Sequence, residues 1–519
     1  MPVAPRVLLI GLDAAEPSLI RRWSEQRKLP NISSVADQGS STLLRSPARE
    51  FPDEVWPAIY ASANSGELGK YFYIQPKRNS ENLELVDDTP HGTPFWLLAS
   101  DAGKRCAIVD APKISAEAGF NGVQLANWGS HATHCDLATH PTELLAELLA
   151  KHGRYPIDAC DNHGSSDPDY RRLRERLLKA VQAQGGLFRD VLAREPWDLF
   201  FCVFSQTHCS GHQFWHFQDQ RHPDYREEPE LSQAIEDVYR AIDAQIGTLL
   251  AEVGPETHVM IVSGHGMTAQ FHGRDLMPEL LKLWGFDGPT DKAPDPSTEQ
   301  RVEIKPGLVA NLKRAIPIQF QYFVKRWLPK AIEDAIVCRV MGSKKLDSRA
   351  RVNCVPNNDL NPALRVNLKG RDVHGNVAAG AEFGRLLDLL EERLMSLVNP
   401  ATGETAVRMV TRSSVTHPGA HSDVLPDMTA MWKDDAWIGE LHSPGFGTVV
   451  GNHHDLRTGG HDVDGFLAYQ GPADGLDFES QMPDGKDIAP TVLDLIDVPI
   501  PEKMEGRSLL ARAAVGAQR

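Results

Sequence analysis

Three stretches of the chain are apolar almost from end to end: Val7-Leu8-Leu9-Ile10-Gly11-Leu12, Leu199-Phe200-Phe201-Cys202-Val203-Phe204 and Val259-Met260-Ile261-Val262. A strand with one wet face alternates in polarity, whereas a strand buried on both faces does not. Helices packed on each side of a parallel sheet supply that double cover. The runs from Arg105 to Val109 and from Met428 to Trp432 read the same way. Between such runs, amphipathic helical periodicity marks Pro141 to Lys151, Tyr170 to Ala193, Leu231 to Val253 and Ala381 to Val398. The alternation predicts an α/β fold, a doubly wound and mostly parallel sheet flanked by helices.

In such a sheet the carboxyl ends of the strands line one crevice, where residues remote in sequence converge. Five metal-type ligands stand at or near those ends. Asp13 closes the first run, His208 and His212 follow the second, and His265 follows the third after Ser263-Gly264. His461 sits in Thr458-Gly459-Gly460-His461. An Asp after a strand also serves as a helix N-cap. Two histidines four apart share one helical face or one tight loop and both can reach a single ion. They can equally cap or pack beside Phe214 and Trp215. Glycines beside His265 and before His461 allow sharp turns and close approach of backbone to a ligand. His453 and His454 compete with His461 for its role.

The formal charge of -16 over 519 residues argues against nucleic-acid binding by bulk charge. An anionic substrate would need locally placed cations. No apolar stretch approaches the roughly 20 residues that span a bilayer. The first apolar run is short, ends in Asp13 and lacks a basic flank, so it reads as a strand and not a signal peptide. The 7 cysteines are scattered without CxxC spacing, which points to reduced thiols and a cytoplasmic protein. From about Asp291 to Lys345 the strand–helix rhythm lapses and basic amphipathic stretches appear, Asn311 to Ile316 and Phe323 to Lys330. We read residues 291–345 as an inserted basic helical cap, or as a solvated helical excursion, between core parts 1–290 and 346–519.

Further blocks follow in order: Leu364-Arg365-Val366-Asn367-Leu368-Lys369-Gly370-Arg371, Leu425-Pro426-Asp427-Met428, Asp464-Gly465 after His461, Asp487-Ile488-Ala489-Pro490-Thr491-Val492-Leu493-Asp494, and Met504-Glu505-Gly506-Arg507. Together with Gly11-Leu12-Asp13 and Ser263-Gly264-His265-Gly266, they make the chain resemble the alkaline phosphatase superfamily. Its type I phosphodiesterase/nucleotide pyrophosphatase-like branch is the nearest match. The resemblance implies an alkaline phosphatase-like core, hydrolysis of phosphate esters, two metal ions (usually zinc) and a Ser or Thr nucleophile. By position, Asp13 and His265 would serve one metal, and His208, His212 and His461 the other. Asn127-Trp128-Gly129-Ser130-His131 resembles a loop near the family's active site, making His131 and His134 candidate substrate contacts or surface-loop residues.

The departures carry as much. His208 stands where the family usually has Asp, and Gly264 replaces the Asp before the metal His. With Trp56 and Gly69 as anchors, Pro52 falls at the nucleophile position, and Ala61-Ser62 replaces Thr-Gly. Asp13 and His265 are too few for firm metal binding. Three imidazoles instead resemble a catalytic single-zinc site with an open fourth position, where water has its pKa lowered to about 7. One zinc ion rather than two is expected, with that water replacing the missing hydroxyl. Asp53 is the candidate catalytic carboxylate, flanked by Glu50 and Glu54. The same segment also reads as a helix start with acids favourable at its N-terminus.

The expected activity is hydrolysis of a small phosphate ester, a phosphodiester or nucleotide pyrophosphate ahead of a monoester. The alternative is a member that binds or transfers an anionic phospho- or sulfo-substrate without hydrolysis. The chain lacks the Cys-x-Pro-x-Arg signature of formylglycine sulfatases.

Overall fold

The computed structural model describes residues 6–86, 91–129, 135–157, 166–271, 276–288, 299–304, 345–358, 361–451, 457–472, 475–478 and 481–510. Ten strands position the site. They are β1 (Val7–Leu12), β2 (Ser40–Arg45), β3 (Cys106–Val109), β4 (Gly122–Ala126), β5 (Ala138–His140), β6 (Leu199–Phe204), β7 (His258–Ser263), β8 (Gly266–Ala269), β9 (Gly459–Asp462) and β10 (Asp464–Gln470). Eight of them form the main sheet in the order β2-β10-β7-β1-β6-β3-β4-β5. The central run from β7 through β4 is parallel, whereas β10 and β5 run against their neighbours.

Every residue of β1 is buried, and its alternate side chains enter different cores. Leu8, Ile10 and Leu12 pack with the helices Asp167–Leu192 and Ala234–Leu250. Val7 and Leu9 pack on the other face with α1 (Val55–Ala61) and the helix Ile488–Leu495. Two covered faces explain why the strand is apolar throughout. This is the expected α/β architecture.

Leu12 pairs with Phe204 and Gly11 with Val262, so β7, β1 and β6 finish level with one another. Their outgoing loops therefore share one rim. The strand order also reverses at β1, which has β6 on one side and β7 on the other, and such a switch point is where an open α/β sheet forms its crevice.

A second lobe builds its own core around the helices Leu276–Leu283 and Ala381–Met395. The run Met428–Trp432 belongs here and not to the parallel sheet. It pairs antiparallel with Ala363–Val366 and Val407–Arg412. Its five buried residues have the same polarity as a parallel strand because this small sheet is also covered on both sides.

Residues Gln300–Glu303, inside the stretch read as a helical cap, form a strand pairing parallel with Gly447–Val450. Only Val302 of the four is partly covered, as suits a strand at the edge of its sheet. The basic stretches at 311–316 and 323–330, like His131, His134, His453 and His454, lie outside the described residues. Among the described residues no helix is long and apolar enough to cross a membrane.

The two lobe blocks noted in the sequence meet directly. Arg371 grips Asp427 with two parallel bonds, Nη1 to Oδ1 at 2.6 Å and Nη2 to Oδ2 at 2.9 Å. Asp427 also accepts the Val366 amide at 2.7 Å. The C-terminal blocks likewise close on themselves, with the Arg507 amide donating to Asp487 Oδ1 and the Leu509 amide to Thr491 Oγ1.

Candidate metal centre

The rim over β7, β1 and β6 is knitted before any ligand is considered. The Asp13 amide continues the ladder to the Phe204 carbonyl at 2.9 Å. Thr207 Oγ1 donates to the Asp13 carbonyl at 2.5 Å. Ser263 Oγ donates to the His265 carbonyl at 2.7 Å and accepts the Ala15 amide at 2.8 Å. Three loops are thereby fixed to each other by buried polar groups, which leaves little freedom for the side chains they carry.

His208 and His212 sit on α2 (Gln206–Gln218), which begins two residues after β6. Their spacing of four places both rings on one helical face. His461 comes from β9, which pairs antiparallel with β8 so that His461 lies opposite Met267. Two glycines let β9 approach the helix. A Cβ at Gly459 would lie 2.3 Å from the Gly211 carbonyl, and one at Gly211 would lie 2.7 Å from Met267. The contact is held by the Thr458 amide, which donates to the His212 carbonyl at 2.7 Å.

Three imidazoles converge as a result. His208 and His212 have centroids 4.4 Å apart, His212 and His461 4.7 Å, and His208 and His461 5.2 Å. One donor atom from each lies within 4.8 Å of the others. His212 Nδ1 is 2.6 Å from the Gly459 carbonyl. A carbonyl can only accept, so this nitrogen carries the proton and Nε2 presents its lone pair. That Nε2 stands 3.2 Å from Nε2 of His208. Two nitrogens about 2.0–2.1 Å from a tetrahedral zinc are about 3.3 Å apart, so the pair fits one cation. Burial first, then the Arg457 cation and the neighbouring imidazoles, hold the His212 pKa well below the usual value. The ring is therefore neutral and able to ligate at neutral pH.

His265 and Asp13 lie alongside. His265 packs edge-on to His461 with centroids 4.6 Å apart. Its pKa is pushed down to about 3 by burial and His461, against the opposing charge of Asp13. Asp13 Oδ1 accepts the indole N–H of Trp56 at 2.7 Å. All five residues singled out in the sequence thus reach one rim, while Trp56 and Thr207 were not recognised as parts of it. Nothing in a lone Trp or Thr signals such a contact. Trp56 served only to anchor the register of its segment.

The acids around Pro52 have partners elsewhere. Asp53 Oδ2 is 2.8 Å from Lys113 Nζ, which also donates to the Asp53 carbonyl. Glu50 accepts Thr411 and Thr416 hydroxyls at 2.8 and 2.9 Å. Glu54 meets Lys70 at 3.5 Å, both side chains being buried. Pro52 itself opens a short 3-10 turn ahead of α1.

Beside His461 a small open cleft runs along the second lobe, lined by Phe271, Arg408, Trp432 and Lys433 among others. Arg408 is loosely paired with Asp462 at 3.5 Å, so its charge is available to an anion.

The close approach of β9 yields a direct test. Gly459→Ala must push β9 off α2, because the obstruction is backbone. The expected result is a loss of zinc affinity of about 10- to 100-fold, the scale of a disturbed ligand support. Competition with a chromophoric chelator measures it, and unchanged affinity would show that β9 does not set the position of His461.

The family model described as Type I phosphodiesterase / nucleotide pyrophosphatase matches residues 7–454. Among solved structures, wild type alkaline phosphatase PafA aligns with a TM-score of 0.52 at 12% identity, covering 98% of each chain. Phosphonoacetate hydrolase from Sinorhizobium meliloti 1021 in complex with phosphonoacetate aligns with a TM-score of 0.51 at 13% identity, covering 96% of each chain. No curated protein matches the sequence. The structural likeness, at such low identity, concerns the fold: both neighbours share the architecture of the alkaline phosphatase superfamily.

Proposed function

The chain belongs to the type I phosphodiesterase/nucleotide pyrophosphatase family, a group of phosphoric ester hydrolases of the alkaline phosphatase superfamily, and we propose that it hydrolyses a small phosphodiester or pyrophosphate with zinc held by His208, His212 and His461. The observation that carries this reading is the approach of three imidazole donor atoms to within 4.8 Å of one another. When bound, the ion supplies Lewis acidity and a water acidic enough to ionise near neutral pH.

The chain's own groups do the rest. The Gly459 carbonyl keeps the proton of His212 on Nδ1 and the ring in place. Arg408 and Lys433 draw the anionic ester into the cleft beside His461. Asp53, held by Lys113 at the start of the segment leading into α1, is the candidate carboxylate for orienting the attacking water. Asp13 and His265 border the trio. Cys106 and Cys202 are buried free thiols, which supports a cytoplasmic setting.

The test is a purified protein assayed with a chromogenic phosphodiester before and after chelation. Turnover that disappears with chelator and returns with zinc is expected. Pro52 favours one alternative, an anion binder or transferase. Zinc retained without hydrolysis of any diester, pyrophosphate or sulfate ester would select it.

Arg408→Ala is expected to raise KM about tenfold, worth about 1.4 kcal/mol, with kcat little changed. That pattern is the mark of binding lost equally from ground and transition states. An unchanged KM would remove Arg408 from substrate binding.

A further inference from the structure

A second cation in this crevice would have to sit on Asp13 and His265 with a carboxylate at position 264, and the structure provides no room for it. A Cβ at Gly264 would lie 2.4 Å from Val55 Cγ1 and 2.8 Å from Ile59 Cδ1. Real Cβ contacts are not that short, and a β-branched methyl cannot swing away as a long side chain would. Val55 and Ile59 are each about 1% exposed and belong to the core under α1.

The same helix also reaches Asp13. A Cβ at Gly11 would lie 2.7 Å from the Trp56 indole, and that indole donates its N–H to Asp13 Oδ1 at 2.7 Å. The two glycines are therefore the imprint of α1 pressed against the ends of β1 and β7. One carboxylate oxygen of Asp13 is already engaged, and the wall opposite is hydrocarbon. Among the described residues, a divalent ion there would have His265, what is left of Asp13, and methyl groups where further donors or water should be. Desolvation would not be repaid by so few donors.

We infer that this centre is mononuclear: α1 closes the second cation position with a Val55–Ile59 plug, and Asp13 serves as the hydrogen-bond anchor that seats Trp56 against the sheet. This rests on the reading that His208, His212 and His461 hold zinc. It extends that reading by assigning Asp13, His265 and α1 a structural task at the rim.

Elemental analysis of purified protein, saturated with zinc and then dialysed, tests it. One zinc per chain is expected in the parent and in Asp13→Asn, and close to none in His212→Ala. Two zinc ions per chain, falling to one in Asp13→Asn, would overturn the inference while leaving the three-imidazole reading intact. No zinc in the saturated parent would overturn that reading, and this inference with it. Intrinsic tryptophan fluorescence adds an independent readout. Asp13→Asn should shift the emission as Trp56 loses its charged acceptor, and an unchanged spectrum would contradict the anchoring role.

Discussion

Replacing His212 with alanine is expected to strip the protein of zinc and to abolish phosphodiester turnover. Removing a single stabilising donor from an active site costs about 10²–10³ in kcat. Loss of the cation removes both the Lewis acid and the activated water, so the fall should be at least that large. His212 is fully buried, and truncation leaves the Gly459 carbonyl without the 2.6 Å partner it has now. A stability loss of about 1–3 kcal/mol would accompany the change. Circular dichroism must therefore show a folded variant before its inactivity is interpreted. His208→Asp is the informative companion, since a carboxylate is also a zinc ligand and zinc should be retained. Equal rates in His212→Ala and the parent would dispose of the metal centre.

The second large effect lies far from the chemistry. Asp427→Ala removes the partner of a bidentate pair whose side chains are 15% and 9% exposed. Breaking such a pair strands a guanidinium in a poorly solvated place, at a cost of about 3–5 kcal/mol. Asp372 softens the blow, since it stands 3.0 Å from Arg371 Nε. The Val366 amide loses its acceptor in the same step. The expected outcome is a lower urea midpoint with zinc content unchanged, because the lobe is weakened while the rim over β1, β6 and β7 is not. Stability equal to the parent would mean that Asp372 alone satisfies Arg371.

These two sites differ in how plainly the sequence announces them. The ligand set was legible because strand ends in a parallel sheet share one rim, and β1 and β6 begin and end where their apolar runs do. Asp427 and Arg371 were visible only as blocks of a resemblance, and their joining needed the fold. Burial on two faces identifies a covered strand without saying which sheet covers it. Met428–Trp432 therefore looked like β1 yet lies antiparallel in the lobe.

The occupant of the space beside Gly264 was not legible either. An absent side chain says that something is close without naming it, and Val55 and Ile59 come from more than 200 positions earlier. The partner of Asp53 was hidden in the same way, since Lys113 lies sixty residues on. Short-range patterns reveal elements and their ends. Which side chains fill the gaps between elements depends on packing, which one strand of text does not encode locally.

Anomalous scattering at the zinc edge, from crystals grown with zinc, addresses the central claim most directly. A single peak about 2.0–2.1 Å from one ring nitrogen each of His208, His212 and His461 is the predicted result. A peak centred instead between Asp13 and His265, or no peak among the three imidazoles, would contradict it.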